Sequence, residues 1–134
     1  MSAVEDLFNL AKQAQARAYA PYSRFPVGAA LRTQTGAVFS GCNVENAAYP
    51  LGVCAETSAI SAMIASGERR IAEILVLGPG PEKLSPSGAC RQRIAEFFCD
   101  GGLVHLADPA GNVVSLTIGD LLPHAFGPDA LNRG

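Results

Sequence analysis

Residues 54–56 of this chain read Cys-Ala-Glu, and residues 86–92 read Pro-Ser-Gly-Ala-Cys-Arg-Gln. Each stretch stands at the start of a predicted helix. At such a position, unpaired backbone N–H groups and the helix dipole favour the thiolate form of a cysteine, which is the form that binds metals. Glu56 falls in the first turn, two residues after Cys54. The two stretches therefore predict a metal site built on Cys54 and Cys90, with a carboxylate beside it.

The same residues also admit a purely structural explanation. Cysteines are often small buried residues, and the helix dipole favours a carboxylate in a first turn without any catalytic role. A Cys-x-Glu segment alone is weak support for a site. The second stretch, about thirty residues later and also opening a helix, makes the pair more specific.

Composition limits the class of protein and its partners. A length of 134 residues predicts one domain, spanning residues 1–134. Apolar residues make up 49% and charged residues only 16%, which is typical of a globular chain and suggests that part of its surface is covered in an oligomer. The net charge of −2 comes without any basic run, so nucleic acid is not an expected partner.

The cellular location is predicted to be cytoplasmic. The first residues, MSAVEDLFNLAKQ, have no basic segment and no uninterrupted apolar core, so they do not resemble a signal peptide. No apolar stretch approaches the roughly 20 residues needed to cross a membrane. Without an export signal, thiols are expected to be metal ligands or buried residues rather than disulfides. The four cysteines are Cys42, Cys54, Cys90 and Cys99.

Hydrophobic periodicity and turn signals predict the order of helices and strands. A first helix opens with the capping pattern Ser2-Ala-Val-Glu5 and runs to about Ala20, where Pro21 ends it. A loop over 43–52 precedes the Cys54 helix. The remaining predicted elements are strands 27–33 and 37–42 forming a hairpin, a helix over 54–66, a strand over 74–77, a helix over 87–98, strands 103–106 and 113–116, and a short helix capped by Thr117–Asp120. The order αββαβαββα predicts an α/β fold: about five strands in one sheet, with helices on both faces.

Several separate segments resemble the small homotetrameric cytidine deaminases, over nearly the whole chain. Besides the metal-site residues, the resemblance is carried by residues 21–30 (Pro-Tyr-Ser-Arg-Phe-Pro-Val-Gly-Ala-Ala), 41–50 (Gly-Cys-Asn-Val-Glu-Asn-Ala-Ala-Tyr-Pro) and 121–127 (Leu-Leu-Pro-His-Ala-Phe-Gly). It implies a three-layer α/β/α sandwich with a mixed sheet. It also implies a zinc-dependent hydrolase of pyrimidine salvage, which converts cytidine and deoxycytidine to uridine and deoxyuridine and releases ammonia.

The resemblance assigns a role to each site residue. Glu56 becomes the catalytic proton shuttle, and Cys54 and Cys90 become zinc ligands. The substrate-binding residues are Phe25 against the base, Asn43 and Glu45 on the sugar hydroxyls, Ala55, and Phe126, which reaches the base from a neighbouring subunit. Without the resemblance, the two phenylalanines would be interpreted as core residues, Asn43 as a turn residue and Glu45 as a solvated charge.

Ser87 departs from the pattern, since zinc deaminases have Pro-Cys-x-x-Cys where this chain has Pro-Ser-Gly-Ala-Cys. A neutral hydroxyl is a poor zinc ligand beside a thiolate, so weaker zinc binding is expected. Zinc with three thiolates carries a formal charge of −1, whereas two thiolates and a serine make it zero. Sites with one histidine and two cysteines have that same charge and are competent. Ser87 is therefore expected to loosen zinc more than it impairs the chemistry.

A second departure is Thr57, because the residue after the glutamate is often arginine in three-cysteine members. A site with one thiolate fewer needs less positive charge nearby. No other residue has a spacing that indicates it replaces the missing ligand. The candidates considered are Cys42, Cys99, His105 and His124. An introduced Cys-to-Ser change and a naturally metal-poor relative both remain simple explanations.

Three other functions stay open at this point. The first is a catalytically impaired or metal-poor relative that binds nucleosides. The second is editing of polynucleotides, which the acidic composition disfavours because it offers no basic groove. The third is deamination of a modified cytosine nucleoside, against which Asn43 and Glu45 argue by offering partners to unblocked sugar hydroxyls.

Overall fold

The computed structural model describes residues 2–131 and contains a five-stranded mixed sheet. Its strands are β1 (Gly28–Thr33), β2 (Val38–Cys42), β3 (Ile71–Leu77), β4 (Phe98–Ala107) and β5 (Val113–Thr117). Its helices are α1 (Ala3–Gln15), α2 (Ala55–Ala65), α3 (Gly88–Phe97) and α4 (Ile118–Leu121), with 3₁₀ turns at Tyr49–Leu51 and Pro128–Ala130. The strand order is β2-β1-β3-β4-β5; β3 and β4 are parallel and the other pairs antiparallel. The predicted α/β class is confirmed.

Local sequence signals correctly set most element starts. Ser2 caps α1 by accepting the Glu5 N–H at 3.1 Å. Thr117 and Asp120 cap α4 reciprocally, each side chain bonding the other residue's backbone N–H at 3.1 Å. The predicted hairpin of β1 and β2 turns at Gly36, whose φ of 94° suits a residue without a Cβ.

Helix α1 covers one face of the sheet. Its Leu7 and Ala11 are fully buried against Ala30 of β1 and Leu75 of β3. The helix approaches β1 so closely that a Cβ on Gly28 would lie 1.9 Å from the Ala11 carbonyl oxygen. Glycine is therefore required at Gly28 for this helix to pack on the strand.

The opposite face carries α2 and α3 over the larger apolar core. Met63 of α2 and Ile94 of α3 are fully buried there, against Ile74 of β3 and Val104 of β4. Alternate residues of the strands point to the two faces, as the side-chain period of two requires. The helices that carry the predicted metal ligands therefore lie side by side on one face.

Three predicted boundaries were wrong. Helix α1 ends at Gln15 rather than near Ala20, because the backbone of Tyr19 pairs with the loop at residues 43–45: its N–H donates to the Asn43 carbonyl at 3.0 Å and its carbonyl accepts the Glu45 N–H at 2.9 Å. Strand β3 begins at Ile71 and β4 at Phe98, both earlier than predicted. The polar Glu73 interrupts the apolar run of β3, but it bonds Arg32 on the neighbouring strand, so the sheet continues.

No helix within residues 2–131 combines the length and apolarity needed to cross a membrane.

Candidate metal centre and substrate cavity

The amino ends of α2 and α3 meet at a cluster of potential metal ligands. Cys54 is the N-cap of α2, Glu56 lies in its first turn, and Cys90 lies in the first turn of α3. The ligand atoms of these three residues all lie within 4.8 Å of one another. Glu56 is 4% exposed and Cys90 2%, so the cluster is largely shielded from water. Two segments far apart in sequence thus form one site, as their motifs predicted.

The two thiols of the cluster lie close together, and each affects the pKa of the other. A hydrogen bond from the Cys90 thiol lowers the pKa of Cys54 to about 5, against the opposing effect of burial. The same contact, together with burial, raises the pKa of Cys90. The Thr57 hydroxyl lies 2.9 Å from the Cys54 Sγ and also favours the thiolate. The surroundings of Cys54 therefore favour its thiolate form.

The Glu56 carboxyl is buried close to the Cys54 sulfur. Burial, and next the negative charge on Cys54, raise its pKa to about 7. A group with a pKa near the working pH can both accept and release a proton at useful rates. Arg93 of α3 acts in the opposite direction, since its positive charge lowers the pKa of Glu56 and of Cys54. Sequence reasoning did not identify Arg93.

Ser87 caps α3 in the structure. Its hydroxyl oxygen accepts the Cys90 backbone N–H at 3.4 Å, and the residue is exposed. It lines the same cavity as Cys54 and Cys90. Thiolates are zinc donors, so the two cysteines suit that ion, with the Glu56 carboxyl beside them. The set has two thiols rather than three, with the Ser87 oxygen at the entrance.

A cavity of about 380 Å³ opens over the cluster and is hereafter called the substrate cavity. Its volume suits a small organic ligand. It brings together the predicted residues Asn43, Glu45, Ala55, Glu56 and Ser87 with both metal-site cysteines. The sequence did not reveal its apolar wall, formed by Val27, Val53, Leu84 and Pro86. Apolar residues in strands and loops carry no signal that separates a cavity wall from a core.

Two predicted substrate residues lie outside the substrate cavity. Phe25 lines a neighbouring cavity of about 140 Å³, which shares Leu84 with the substrate cavity. Phe126 is 60% exposed and lies in a groove between α3 and the C-terminal segment. Its backbone carbonyl accepts a hydrogen bond from the Gln92 side chain at 3.0 Å. Within one chain, therefore, Phe126 does not reach the metal cluster.

The polar side chains predicted to bind the sugar also organise the loop at residues 21–27. Asn43 accepts the Val27 N–H through Oδ1 and donates to the Phe25 carbonyl through Nδ2, both at 2.9 Å. Glu45 accepts the Tyr22 and Ser23 backbone N–H groups at 3.0 and 3.1 Å, and also the Ser23 hydroxyl. The Ser23 contacts hold the pKa of the Glu45 carboxyl below its usual range. Glu45 is therefore ionised at neutral pH.

The other cysteines and histidines considered as ligands do not join the cluster. Within residues 2–131, the potential-ligand group contains Cys54, Glu56 and Cys90 alone. His105, on β4, is buried and bonds Ser115 at 2.7 Å and Glu73 at 2.8 Å. Both of its ring nitrogens are thus engaged on the α1 face of the sheet.

Comparison with known proteins agrees with this geometry. The sequence profile described as "Cytidine and deoxycytidylate deaminase zinc-binding region" matches residues 1–104. The chain belongs to this deaminase family. It is 42% identical to the cytidine deaminase of Sporosarcina psychrophila over 130 residues, which cover 96% of this chain and 95% of that protein.

Solved cytidine deaminase structures share the fold. The crystal structure of the Burkholderia pseudomallei enzyme superposes with a TM-score of 0.87 at 46% identity, covering 94% of this chain and 100% of that one. The Mycobacterium tuberculosis enzyme gives a TM-score of 0.82 at 38% identity, covering 95% and 99%. The deaminase-like sandwich predicted from the resemblance is confirmed.

Proposed function

We propose that this chain catalyses the hydrolytic deamination of cytidine and deoxycytidine to uridine and deoxyuridine, with release of ammonia. The observation that carries the proposal is the convergence of Cys54, Cys90 and the buried Glu56 beneath the substrate cavity. The cytidine deaminases to which the chain is similar support the choice of substrate. The proposal treats residues 1–134 as one deaminase domain.

Cys54 and Cys90 would hold zinc, with Ser87 at the position of the third ligand. Bound there, zinc supplies positive charge that lowers the pKa of water toward neutrality. The Thr57 hydroxyl, 2.9 Å from the Cys54 Sγ, must donate when Cys54 is a thiolate, since a thiolate has no proton to give. Thr57 thereby orients the sulfur and offsets part of its charge.

Glu56 would carry the proton that the reaction must move. Hydrolytic deamination adds water to the ring carbon that bears the amino group, and that amino group leaves as ammonia. Glu56 would move both protons of the water: one passes to the ring nitrogen next to the reacting carbon, and the other passes to the amino nitrogen as the carbon–nitrogen bond breaks and the new carbonyl forms. Its burial and its pKa of about 7 suit both halves of this transfer.

The rest of the substrate cavity would bind the nucleoside. Asn43 and Glu45 each retain hydrogen-bonding capacity beyond the loop contacts and would engage sugar hydroxyls. Ala55, next to Cys54, lines the cavity, and the apolar wall residues would pack against the base. Phe25 would add an aromatic surface next to Leu84.

A homotetramer with composite sites completes the proposal. Large apolar side chains are exposed on segments 19–22 and 44–53, part of which lines the substrate cavity, and exposed apolar patches are typical of interfaces. They include Tyr19, Tyr22, Val44, Tyr49, Leu51 and Val53, with Tyr49 74% exposed. Covering them with neighbouring copies would let Phe126 of one copy reach the cavity of another.

The cytoplasm is the proposed location, since a reducing compartment keeps metal-binding thiols reduced.

Elemental analysis and a cytidine assay test this proposal together. We expect zinc in the purified protein and a loss of cytidine absorbance on incubation with it. Zinc near stoichiometry without turnover would favour the non-catalytic nucleoside-binding alternative. Salt-sensitive binding to single-stranded RNA or DNA would instead favour polynucleotide editing. The convergence of the thiols and Glu56 argues against the non-catalytic alternative, and the acidic composition without a basic run argues against polynucleotide editing.

A further inference from the structure

The turn at residues 21–25 is closed by a carboxylate from a distant segment. Arg24 adopts a left-handed backbone conformation with φ of 55°, which is uncommon for a residue with a side chain. The backbone N–H groups of Tyr22 and Ser23 both donate to Oε1 of Glu45, at 3.0 and 3.1 Å. The Ser23 hydroxyl contacts the other carboxylate oxygen, Oε2. The turn conformation therefore depends on Glu45.

The Ser23 hydroxyl links Glu45 to Phe25. An ionised carboxylate only accepts, so the hydroxyl proton points to Glu45. The hydroxyl oxygen then accepts the Phe25 backbone N–H at 3.0 Å. The Phe25 carbonyl is held from the other side by Asn43, at 2.9 Å. Since the Phe25 side chain is 42% exposed, these backbone contacts, rather than close packing, set its position.

The contacts also limit what Glu45 has left for a ligand. Each carboxylate oxygen has about two acceptor directions. Oε1 uses both on the Tyr22 and Ser23 N–H groups, whereas Oε2 uses one on the Ser23 hydroxyl. Glu45 lines the substrate cavity. The Ser23 hydroxyl thus determines in which direction the remaining acceptor of Glu45 is available.

We propose that Ser23 is a positioning residue that orients Glu45 toward a sugar hydroxyl and, through the Phe25 backbone, joins sugar recognition to the base contact. The inference rests on the proposed function, because it takes a pyrimidine nucleoside as the ligand. It predicts that the effect of Ser23 depends on the presence of hydroxyls on the sugar ring. A residue that only stabilised the turn would affect all nucleosides alike.

The test compares ligands with and without ring hydroxyls in the zinc-loaded full chain. Steady-state kinetics on cytidine give kcat and KM, and competitive inhibition by uridine and by 2′,3′-dideoxyuridine gives binding without chemistry. We expect Ser23→Ala to weaken uridine about tenfold more than dideoxyuridine, as for loss of one hydrogen bond to a charged group. KM for cytidine should rise while kcat changes little.

Matched variants separate positioning from folding. Ser23→Thr keeps the hydroxyl and should restore uridine binding, whereas Ser40→Ala makes the same deletion on β2, at an exposed serine that does not line the substrate cavity, and should change nothing. If Ser23→Ala lowers the melting temperature too far, Ser23→Cys replaces it, since a thiol is a weak donor. If Ser23→Ala weakens the binding of uridine and of dideoxyuridine equally, the inference is overturned. Turnover of cytidine by the unmodified chain tests the proposed function separately.

Discussion

The hydroxyl oxygen of Ser87 accepts the backbone N–H of Cys90 at 3.4 Å, in the turn that opens α3. Serine is a preferred N-cap, so Ser87 contributes to the start of the helix that presents Cys90. The cap bond is long, and Ser87 stays exposed at the entrance of the substrate cavity. Ser87 therefore both caps the Cys90 helix and exposes a hydroxyl oxygen to the substrate cavity.

Ser87→Cys is expected to raise zinc affinity by more than about tenfold. A third thiolate adds a soft, charged ligand. Even residues that only hydrogen-bond to a metal ligand change metal affinity about 10–100-fold. Competition against a chromogenic chelator measures the affinity, and the cobalt-loaded protein should gain intensity in its thiolate charge-transfer band. Ser87→Ala controls for loss of the cap. An unchanged affinity in Ser87→Cys would show that position 87 does not face the metal.

Glu56→Gln is expected to lower kcat about 10²–10⁴-fold, because it removes the group that moves the proton. Glutamine keeps the shape of the side chain, so zinc content and uridine binding should stay close to those of the unmodified chain. Single-turnover assays and elemental analysis check both expectations. Glu5→Gln, at an exposed residue of α1 on the opposite face of the sheet, makes the same chemical change away from the site. Retained turnover in Glu56→Gln would remove Glu56 from the mechanism.

Glu73→Gln is expected to reduce the free energy of unfolding by about 1.5–3 kcal/mol at pH 7, as for hydrogen bonds to a charged group. Glu73 bonds His105 at 2.8 Å and Arg32 on the neighbouring strand. Burial opposes the charged form, yet the bonds from His105 and Arg32 outweigh it and hold the pKa of Glu73 below its ordinary 4.5.

The lowered pKa also gives the pH dependence of this stabilisation. A carboxyl whose pKa falls on folding stabilises the protein above its unfolded pKa, and that contribution is lost as pH falls through the folded pKa. The difference in melting temperature between the unmodified chain and Glu73→Gln should therefore be largest at pH 6–7 and decrease below about pH 4.5. Circular dichroism melts at several pH values measure it. A constant difference down to pH 3 would contradict the charged pairing.

Phe126→Ala and Glu56→Gln are expected to complement each other if the active site is composite. Each variant alone should have low activity on cytidine. For Phe126→Ala we expect KM to rise about tenfold through loss of an aromatic contact. In a mixed oligomer, some sites combine an intact Glu56 from one chain with an intact Phe126 from another. Co-expression with two different tags, followed by sequential purification, isolates such hybrids for assay. Hybrids no more active than the sum of their parents would place Phe126 outside the neighbouring site.

Gly41→Ala is expected to cost about 1–3 kcal/mol of stability by overpacking and to disturb the metal site as well. A Cβ on Gly41 would lie 2.5 Å from the Ala59 N and 2.8 Å from the Ala55 O, both backbone atoms of α2. The helix would have to move, and it carries Cys54 and Glu56 at its amino end. Thermal melts and zinc content are the measurements. Gly119→Ala is the control, because the nearest atom there lies at 3.8 Å.

Much of the fold followed from short-range signals. The hairpin, the starts of α2 and α3 and the capped α4 were predicted to within a residue or so, since N-caps, glycine turns and apolar periodicity act over a few neighbours. The end of α1 was not predicted correctly, because the backbone of Tyr19 pairs with residues 43–45 instead of continuing the helix. A backbone bond to a distant loop has no trace in the local pattern.

The sequence by itself predicted that Cys54, Glu56 and Cys90 come together at two helix starts, and the structure brings them within 4.8 Å of one another. Their residue types and positions at helix starts are local properties. Only the tertiary structure decided that Glu45 closes the Ser23 turn, that Thr57 contacts the Cys54 sulfur, and that Phe126 lies away from its own cavity. These relationships depend on how α2, α3 and the loops pack on the sheet, and packing joins residues that chain order keeps apart.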